Sequence, residues 1–249
     1  MRTTLRTGGR RGIGVGPRRR CGKIPTRGMA GDDIIPEDEM RLEVHHPLFA
    51  RLYALLSPRT ESAGGAEHRR ELLAGMSGRV IELGAGNGLN FRYYPEAVNE
   101  VVAVEPEDYL RERARQAASG ASVPVTVVDA VADRLPFPDD SFDAAVASLV
   151  MCSVPDQASA LHELRRVLVP GGELRFYEHV RPNNPRTAAV WQRLHDWNIW
   201  PRLAGGCHAA RDTEAAIRAA GFEIERCRRF PFKGGPVTAP HILGVARRL

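Results

Sequence analysis

Residues 79–89 read RVIELGAGNGL, an apolar run followed by three alternate glycines. The run at 79–83 predicts a buried β-strand that ends in a tight turn. Glycine permits positive φ and lets a ligand approach bare backbone, so Gly84, Gly86 and Gly88 are typical of a binding turn. We expect a helix after this turn to point its free N–H groups at the ligand. The stretch therefore predicts a nucleotide-type site.

Strands and helices alternate along the rest of the chain, which predicts a parallel sheet with covering helices. Further strands are expected at 100–105, 123–128, 142–149 and 173–180, and helices at 48–56, 67–76, 109–119, 158–168, 186–200 and 212–220. Ser57-Pro58 is expected to end the first helix. Only ten residues separate the last two predicted strands, 222–230 and 241–249. That connection is too short for a parallel crossover, so this pair should be antiparallel.

The first residues differ from the others in composition. The 249 residues include 35 Lys and Arg against 30 Asp and Glu, a net charge of +5. Nine of the basic side chains and no acidic ones lie in residues 1–30, which are poor in large apolar residues and cannot offset the entropy of ordering. We predict a disordered Arg/Gly-rich extension at 1–38 and a folded domain at 39–249. A solvated tail, a true start at Met29 or Met40, and a nucleic-acid or membrane-surface arm all stay open.

Several classes of protein are not indicated. The chain has no short apolar core of a secretory signal and no apolar run of about 18 residues, so we predict a cytoplasmic protein without a transmembrane segment, with peripheral membrane contact left open. The four cysteines form no CxxC pair, and the eight histidines show no metal-ligand spacing. We predict reduced thiols and no metal.

The glycine spacing separates two kinds of nucleotide-type ligand. A dinucleotide turn has the spacing GxGxxG and an acid about 20 positions later, whereas this turn is GxGxG with Leu89 next. Glu105, at the end of the following strand, suits a ribose in either case. Glu82 lies two residues before Gly84, where its negative charge favours a cationic ligand over a pyrophosphate.

These segments resemble class I S-adenosylmethionine-dependent methyltransferases: ELGAGNG at 82–88, Glu105, LPFPDDSFD at 135–143 and LVPGG at 168–172. LVMCSV at 149–154, EHV at 178–180, GGCH at 205–208 and PHILG at 240–244 resemble the methyltransferase-like 7 thiol methyltransferases. The resemblance implies a Rossmann-like α/β fold, with helices on both faces of a seven-stranded sheet ordered 3-2-1-4-5-7-6 and strand 7 antiparallel. It also implies S-adenosylmethionine as the cofactor.

The resemblance implies a set of cofactor-binding residues, namely Glu82, Gly84, Ala85, Gly86, Gly88, Glu105, Pro106, Ala132, Asp133 and Ser148. The glycine turn would support the methionyl part, with Glu82 at its ammonium, and Glu105 would accept hydrogen bonds from the ribose hydroxyls. Many relatives carry Asp-Ala where this chain has Val131-Ala132. The adenine contact is therefore expected from the backbone of Ala132, with Asp133 as a polar partner. Asp129 is interpreted as a strand-end acid.

The acceptor side is less defined. Ser148 to Met151 reads SLVM, an apolar pocket mouth that favours a small lipophilic nucleophile over a base amine. We expect methyl transfer to an alkyl thiol first and to a lipid or quinone-type ring second; a dehydrogenase and a nucleic-acid-binding module are the alternatives. His179 is the candidate general base because histidine titrates near neutral pH. Secondary candidates for the acceptor side are Cys152, Asp196, His208, Trp191, Trp197 and Trp200.

Overall fold

The computed structural model describes residues 47–182, 186, 189, 207, 208, 211–233 and 239–249. Seven strands form one sheet in the order β3-β2-β1-β4-β5-β7-β6. They are β1 Gly78–Leu83, β2 Val98–Val104, β3 Val125–Val128, β4 Phe142–Ser148, β5 Leu168–His179, β6 Phe222–Phe232 and β7 Ala239–Arg248. Strands β1 to β5 pair in parallel, and β7 is antiparallel to both β5 and β6. The predicted strand order and the antiparallel final pair are confirmed.

Helices cover both faces of the sheet, as predicted. The α-helices are α1 Pro47–Thr60, α2 Ala66–Leu73, α3 Asp108–Ala118, α4 Gln157–Val167 and α5 Thr213–Ala219. Side chains of α2 and α3 join a buried cluster with Val80, while those of α4 and α5 join a second cluster with Ile81. Adjacent strand residues point to opposite faces, so β1 contributes to both cores. A sheet covered in this way leaves the ends of its strands as the place for a site.

Helix α1 does not end at Ser57-Pro58, and that prediction is wrong. The helix runs through Pro58 to Thr60 and continues into a π-helical segment, Glu61–Gly65, before α2. Proline has no N–H, which leaves the carbonyl four residues earlier without its helical donor. The hydroxyl of Ser57 donates to that carbonyl, on Ala54, over 3.4 Å. This local replacement explains how the helix tolerates the proline.

The glycine turn is not followed by an α-helix, and that prediction is also wrong. A 3-10 helix at Phe91–Tyr93 is the only helical turn between β1 and β2. Gly88 has a positive φ of 77°, and Pro95 follows seven residues later, so little chain is left in which a helix could form. The N–H groups near the site therefore belong to the turn itself.

Some predictions fall outside the described residues, including the extension at 1–38, Asp196, Trp191, Trp197 and Trp200. Of the helix predicted at 186–200, residues 186 and 189 are helical. Within the described part of the chain, no helix has both the length and the apolar character needed to cross a membrane.

Candidate active site

A cavity of about 340 Å³ opens at the carboxyl ends of β1, β2, β4 and β5. This is the edge at which ligands bind in open α/β sheets. Eight predicted site residues line it: Gly84, Gly86, Glu105, Pro106, Ala132, Asp133, Ser148 and His179. The fold thus brings the candidate cofactor residues and the candidate base to one cavity.

The first glycine of the turn makes a close approach possible. Gly84 has a φ of 61°, and a Cβ placed on it would lie 2.2 Å from Cγ2 of Val150. Val150 belongs to the segment after β4, so the turn after β1 and this segment touch where Gly84 has no side chain. Ala85 is buried beside the turn and donates its N–H to the carbonyl of Val104 over 3.0 Å. The glycine turn is therefore fixed to both neighbouring strands.

Glu82 lies behind the cavity wall rather than on it. Its side chain is buried, with Oε1 accepting from Asn90 Nδ2 at 2.8 Å and Oε2 accepting from the Tyr94 hydroxyl at 2.7 Å. Burial raises the pKa of Glu82 to about 7, although the Tyr94 and Asn90 hydrogen bonds oppose this shift. These bonds hold the chain after the turn against β1.

Glu105 joins two turns at the edge of the cavity. Its Oε2 accepts from the N–H of Gly86 at 2.7 Å, and its Oε1 accepts from the N–H of Glu107 at 3.0 Å. Burial raises the pKa of Glu105 to about 7 against these two backbone bonds. Each carboxylate oxygen keeps a further lone pair for a ligand hydroxyl. Asp129 does not line the cavity and forms an ion pair with Arg111 at 3.4 Å.

Helix α1 covers the cavity, which the sequence did not predict. Phe49, Ala50 and Tyr53 line the cavity, and the Tyr53 ring lies 3.3 Å from the position of a Cβ on Gly86. The spacing of Phe49 and Tyr53 indicated one face of a helix, yet nothing in the sequence indicated where that face packs.

Arg69 of α2 ties this cover to the sheet. Its Nε donates to Glu61 at 2.7 Å, and its Nη1 donates to Asn90 at 2.8 Å and to the Ser148 hydroxyl at 3.1 Å. The arginine is buried, and its charge-assisted bonds to Asn90 and Ser148 are made away from bulk water. One side chain thereby links the π-helical segment, the chain after the glycine turn and the end of β4.

The segment after β4 is held by a buried acid. Oε1 of Glu178 accepts from the N–H groups of Val150 and Met151, both at 3.0 Å, and the preceding Leu149 adopts a positive φ of 58°. Oε2 of Glu178 has no hydrogen-bond partner among the described residues. Burial raises the pKa of Glu178 to about 8. Glu178 therefore positions the apolar wall through its hydrogen bonds to these two backbone N–H groups.

Cys152, His179 and Cys207 meet on the acceptor side of the cavity. Cys152 Sγ lies 3.8 Å from Nδ1 of His179, and the candidate ligand atoms of all three residues lie within 4.8 Å of one another. The Cys207 side chain and burial raise the pKa of the Cys152 thiol well above its usual value. Cys152 and His179 are 27 residues apart in sequence, so linear spacing did not disclose this cluster. His208 is half-buried, and its N–H donates to the carbonyl of Cys152 at 2.6 Å.

The fold, the glycine turn and the two acids define an S-adenosylmethionine-dependent methyltransferase of class I. A methyltransferase domain model matches residues 81–176. The thiol S-methyltransferase TMT1B of Homo sapiens is 35% identical over 211 residues, which cover 80% of this chain and 85% of that protein. Thiol S-methyltransferase TMT1A of Homo sapiens is 31% identical over 193 residues, covering 73% of this chain and 78% of the relative. The chain belongs to the S-adenosylmethionine-dependent methyltransferase family that includes these enzymes.

Another curated relative shares the class, and solved structures share the fold. The ubiquinone/menaquinone biosynthesis C-methyltransferase UbiE of Ectopseudomonas mendocina is 31% identical, covering 76% of this chain and 77% of that protein. Among solved structures, an S-adenosylmethionine-dependent methyltransferase from Mesorhizobium loti has a TM-score of 0.56 at 24% identity, covering 76% of this chain and 100% of that one. The [4+2]-cyclase SpnF has a TM-score of 0.60 at 21% identity, covering 80% and 94%. This fold therefore does not specify one reaction.

Proposed function

We propose that this methyltransferase methylates the sulfur of a small alkyl thiol. The observation that carries the proposal is the composition of the cavity beyond Ser148, where Leu149, Val150 and Val154 form an apolar wall beside Cys152 and His179. Such a wall suits a lipophilic acceptor, because a pocket of this kind excludes water and offers few polar contacts. The names of the relatives TMT1A and TMT1B, both thiol S-methyltransferases, support the same choice.

The cavity fits S-adenosylmethionine. Its volume, about 340 Å³, lies within the range of small-molecule sites, roughly 300–1,000 Å³. Gly86 presents bare backbone to the cavity, and Glu105 stands beside it with free lone pairs for ribose hydroxyls. When bound, the cofactor supplies a methyl group on a positively charged sulfur. Residues that repel phosphate and accept hydrogen bonds suit such a ligand.

We assign the cofactor contacts residue by residue. Glu82 and the turn Gly84, Ala85, Gly86 and Gly88 would hold the amino-acid end, with Glu82 acting from behind the wall. Glu105 and Pro106 would hold the ribose, and the backbone of Ala132 with Asp133 the adenine. Ser148 would lie near the methyl group, and its hydroxyl is already fixed by Arg69.

On the acceptor side, the chain has to align a nucleophile, keep water out and promote loss of the acceptor's proton. We propose that His179 serves this last purpose. Its ring lines the cavity next to the apolar wall. A thiol with a pKa near 8.5 needs only a modest shift to react as a thiolate at neutral pH, whereas an alcohol needs a far stronger base.

A labelled-methyl transfer assay with matched acceptors tests the proposal. The set is an alkyl thiol, the alcohol and the amine of the same chain length, and a hydroquinone. We expect transfer to the thiol at a rate at least about tenfold above the others, in line with the larger thiolate fraction. Equal or faster transfer to the alcohol or the amine would contradict it. Glu105→Ala serves as the cofactor-site control in every reaction.

Methylation of a lipid or quinone-type ring is the second candidate, and the similarity to UbiE favours it. In the same assay, transfer to the hydroquinone alone selects this candidate. Turnover after removal of residues 1–30 separates both from a nucleic-acid-binding module, which would lose its salt-sensitive affinity with the basic arm.

We also propose a cytoplasmic enzyme that touches membranes peripherally. The three described cysteines, Cys152, Cys207 and Cys227, form no disulfide, which is typical of a reducing compartment. Leu48, Leu52 and Leu55 of α1 are exposed by 84%, 49% and 72%, and they lie on the helix that covers the cavity. Co-sedimentation with lipid vesicles that falls on Leu48→Ser and Leu55→Ser would support the contact, and unchanged co-sedimentation would contradict it.

A further inference from the structure

A cluster of two sulfur atoms and one imidazole lies on the acceptor side of the cavity. Cys152, His179 and Cys207 all line the cavity, and their candidate ligand atoms lie within 4.8 Å of one another. In the part of the chain that the structure describes, no other group of three or more His, Cys, Asp and Glu side chains is placed to hold one metal ion. The cluster therefore needs an explanation of its own.

The distance between Cys152 and His179 suits a zinc-type ion, and the other ligand atoms lie within 4.8 Å. Zinc binds sulfur at about 2.3 Å and imidazole nitrogen at about 2.0–2.1 Å in a tetrahedron, which sets neighbouring ligand atoms roughly 3.5–3.8 Å apart. The distance between Cys152 Sγ and His179 Nδ1 is 3.8 Å. Thiolate and imidazole are the ligands that zinc prefers, and a set of two Cys and one His leaves a fourth position open.

The backbone around the cluster is already fixed. The N–H of His208 donates to the carbonyl of Cys152 at 2.6 Å, which places Cys207 beside Cys152. Nη1 of Arg211 donates to the carbonyls of Met151 and Val154, at 2.9 Å and 2.6 Å, on either side of Cys152. His179 lies at the end of β5, in register with His241 of β7. His179 is held by a strand, and the segment around Cys152 is held by these hydrogen bonds. Such ligands need little reorganisation to bind an ion.

We propose that Cys152, His179 and Cys207 form a binding site for Zn²⁺ whose fourth coordination position faces the acceptor cavity. Binding of the ion displaces the thiol protons, since a coordinating thiol is deprotonated outright. A disulfide between Cys152 and Cys207 is the competing use of the two sulfurs. A disulfide would use the two sulfurs alone, whereas the metal site uses all three side chains of the cluster.

This site also specifies how His179 acts, an extension that rests on the proposed function. The fourth position would take the sulfur of the acceptor thiol, and the displaced proton leaves to solvent. An electron pair of that sulfur then forms the new bond to the methyl carbon. The carbon–sulfonium bond breaks, and its electron pair stays on the cofactor's sulfur, so the products are a thioether, S-adenosylhomocysteine and one proton. His179 is then a ligand rather than a free base.

Metal content of the reduced full-length protein tests the site directly. After loading with Zn²⁺ and dialysis, elemental analysis should find about one equivalent, and Co²⁺ should give the visible absorption of a tetrahedral sulfur site. Cys152→Ser, Cys207→Ser and His179→Ala should each weaken binding by about tenfold or more. Cys227→Ser is the matched control, because Cys227 is an exposed cysteine on β6 and should leave metal binding unchanged.

Binding of S-adenosylhomocysteine by each variant shows that it is folded, without reference to the acceptor. No zinc in the reduced protein, or equal binding by the three ligand variants, would overturn the site. A Cys152–Cys207 disulfide in protein that binds no zinc after reduction would assign the pair to redox chemistry instead. A change in the Co²⁺ spectrum on addition of an alkyl thiol supports the fourth ligand. If the spectrum of bound Co²⁺ does not change when the thiol is added, the proposal of a fourth ligand is wrong, while the metal site itself is not affected.

Discussion

The two sides of the cavity are built from different chemistry and from different stretches of the chain. On the cofactor side, Glu82 and Glu105 have hydrogen-bond donors for both carboxylate oxygens, and all lie within the first two strands and their turns. On the acceptor side, Glu178 has donors for one oxygen only, and a cluster of two sulfur atoms and one imidazole lines the cavity. A carboxylate-rich side suits a cation, and a softer, drier side suits a thiol.

The two sides differ in how the sequence encodes them. The glycine turn and Glu105 of the cofactor side lie close together in sequence, so one motif of seven residues and one acid predict that side. The acceptor side is assembled by the fold from three separate segments, at Cys152, His179 and Cys207. Changes on the two sides should therefore act on different quantities, affinity for the cofactor on one side and turnover of the acceptor on the other.

The largest effect is expected where the two sides touch, at Gly84. In Gly84→Ala the new Cβ would lie 2.2 Å from Val150 Cγ2, at a φ of 61° that L residues rarely adopt. The positive φ costs about 1–2 kcal/mol and the overpacking about 1–3 kcal/mol, so the free energy of unfolding should fall by about 2–5 kcal/mol. Affinity for S-adenosylhomocysteine should fall as well. Chemical denaturation and calorimetric titration measure the two.

Gly171→Ala provides the control for Gly84→Ala. Gly171 also has a positive φ, 77°, but no atom beyond its chain neighbours lies within 4 Å of the position that a Cβ would take there. The control therefore carries the backbone strain without the contact. Equal destabilisation of the two variants would show that the touching of the two sides is unimportant.

Replacing Glu105 should affect the cofactor side alone. In the proposed assignment, Glu105→Ala would remove two charge-assisted hydrogen bonds to ribose hydroxyls, each worth about 1.5–3 kcal/mol, so affinity for S-adenosylhomocysteine should fall by about a hundredfold or more. His179→Asn should instead lower turnover of the acceptor and leave that affinity within about twofold, since His179 lies on the other side. Calorimetric titration beside acceptor kinetics separates the two. The division fails if His179→Asn weakens cofactor binding as much as Glu105→Ala does.

The two sides also differ in how much of their structure could be predicted from the sequence. The alternation of strands and helices, the antiparallel final pair and the glycine turn followed from periodicity, connection length and a local motif, because each depends on neighbours in sequence. The strand order followed from the family resemblance instead. The continuation of α1 past Pro58 did not follow, since it depends on a single hydroxyl, that of Ser57, reaching the freed carbonyl. The missing helix after the glycine turn was a similar failure of a local rule.

The cover and the sulfur cluster were hidden for another reason. Tyr53 lies over Gly86 only because α1 folds back across the end of the sheet, and Arg69 reaches Ser148 across 79 residues of sequence. Cys152 and His179 meet because β4 and β5 are adjacent and end at one edge. Such contacts are set by tertiary packing, on which the spacing of residues in sequence has no bearing.

The buried acid of the acceptor side should make stability depend on pH. The pKa of Glu178 is about 8 in the folded chain and is usually 4.5, so folding takes up a proton. Its contribution to stability is complete below about pH 4.5 and is lost as the pH rises through about 8. Between about pH 5 and 8 the free energy of unfolding should fall by about 3–4 kcal/mol more in the wild type than in Glu178→Gln, because the difference accumulates at about 1.4 kcal/mol per pH unit over most of this range. Denaturant titrations at both pH values measure this slope.

Glutamine keeps an oxygen for the N–H groups of Val150 and Met151 and cannot lose a proton, so it isolates the charge. Glu82→Gln supplies the comparison on the cofactor side. The pKa of Glu82 is about 7, so its contribution to stability should be lost at a lower pH than that of Glu178. Parallel slopes for the wild type and Glu178→Gln would place Glu178 in its ordinary charged state and remove the contrast between the two sides.

The smallest effect is expected at the cover. The Tyr53 ring packs over Gly86, so Tyr53→Ala removes apolar contact area from one edge of the cofactor site, at about 25 cal/mol per Å² of buried apolar surface. For part of one ring this gives about 1 kcal/mol, or roughly a fivefold loss of affinity for S-adenosylhomocysteine, while Tyr53→Phe should bind nearly as the wild type does. Leu48→Ala is the control on the same helix, since Leu48 is 84% exposed and does not line the cavity. If Leu48→Ala and Tyr53→Ala weaken binding equally, α1 acts through its own stability and not by covering the glycine turn.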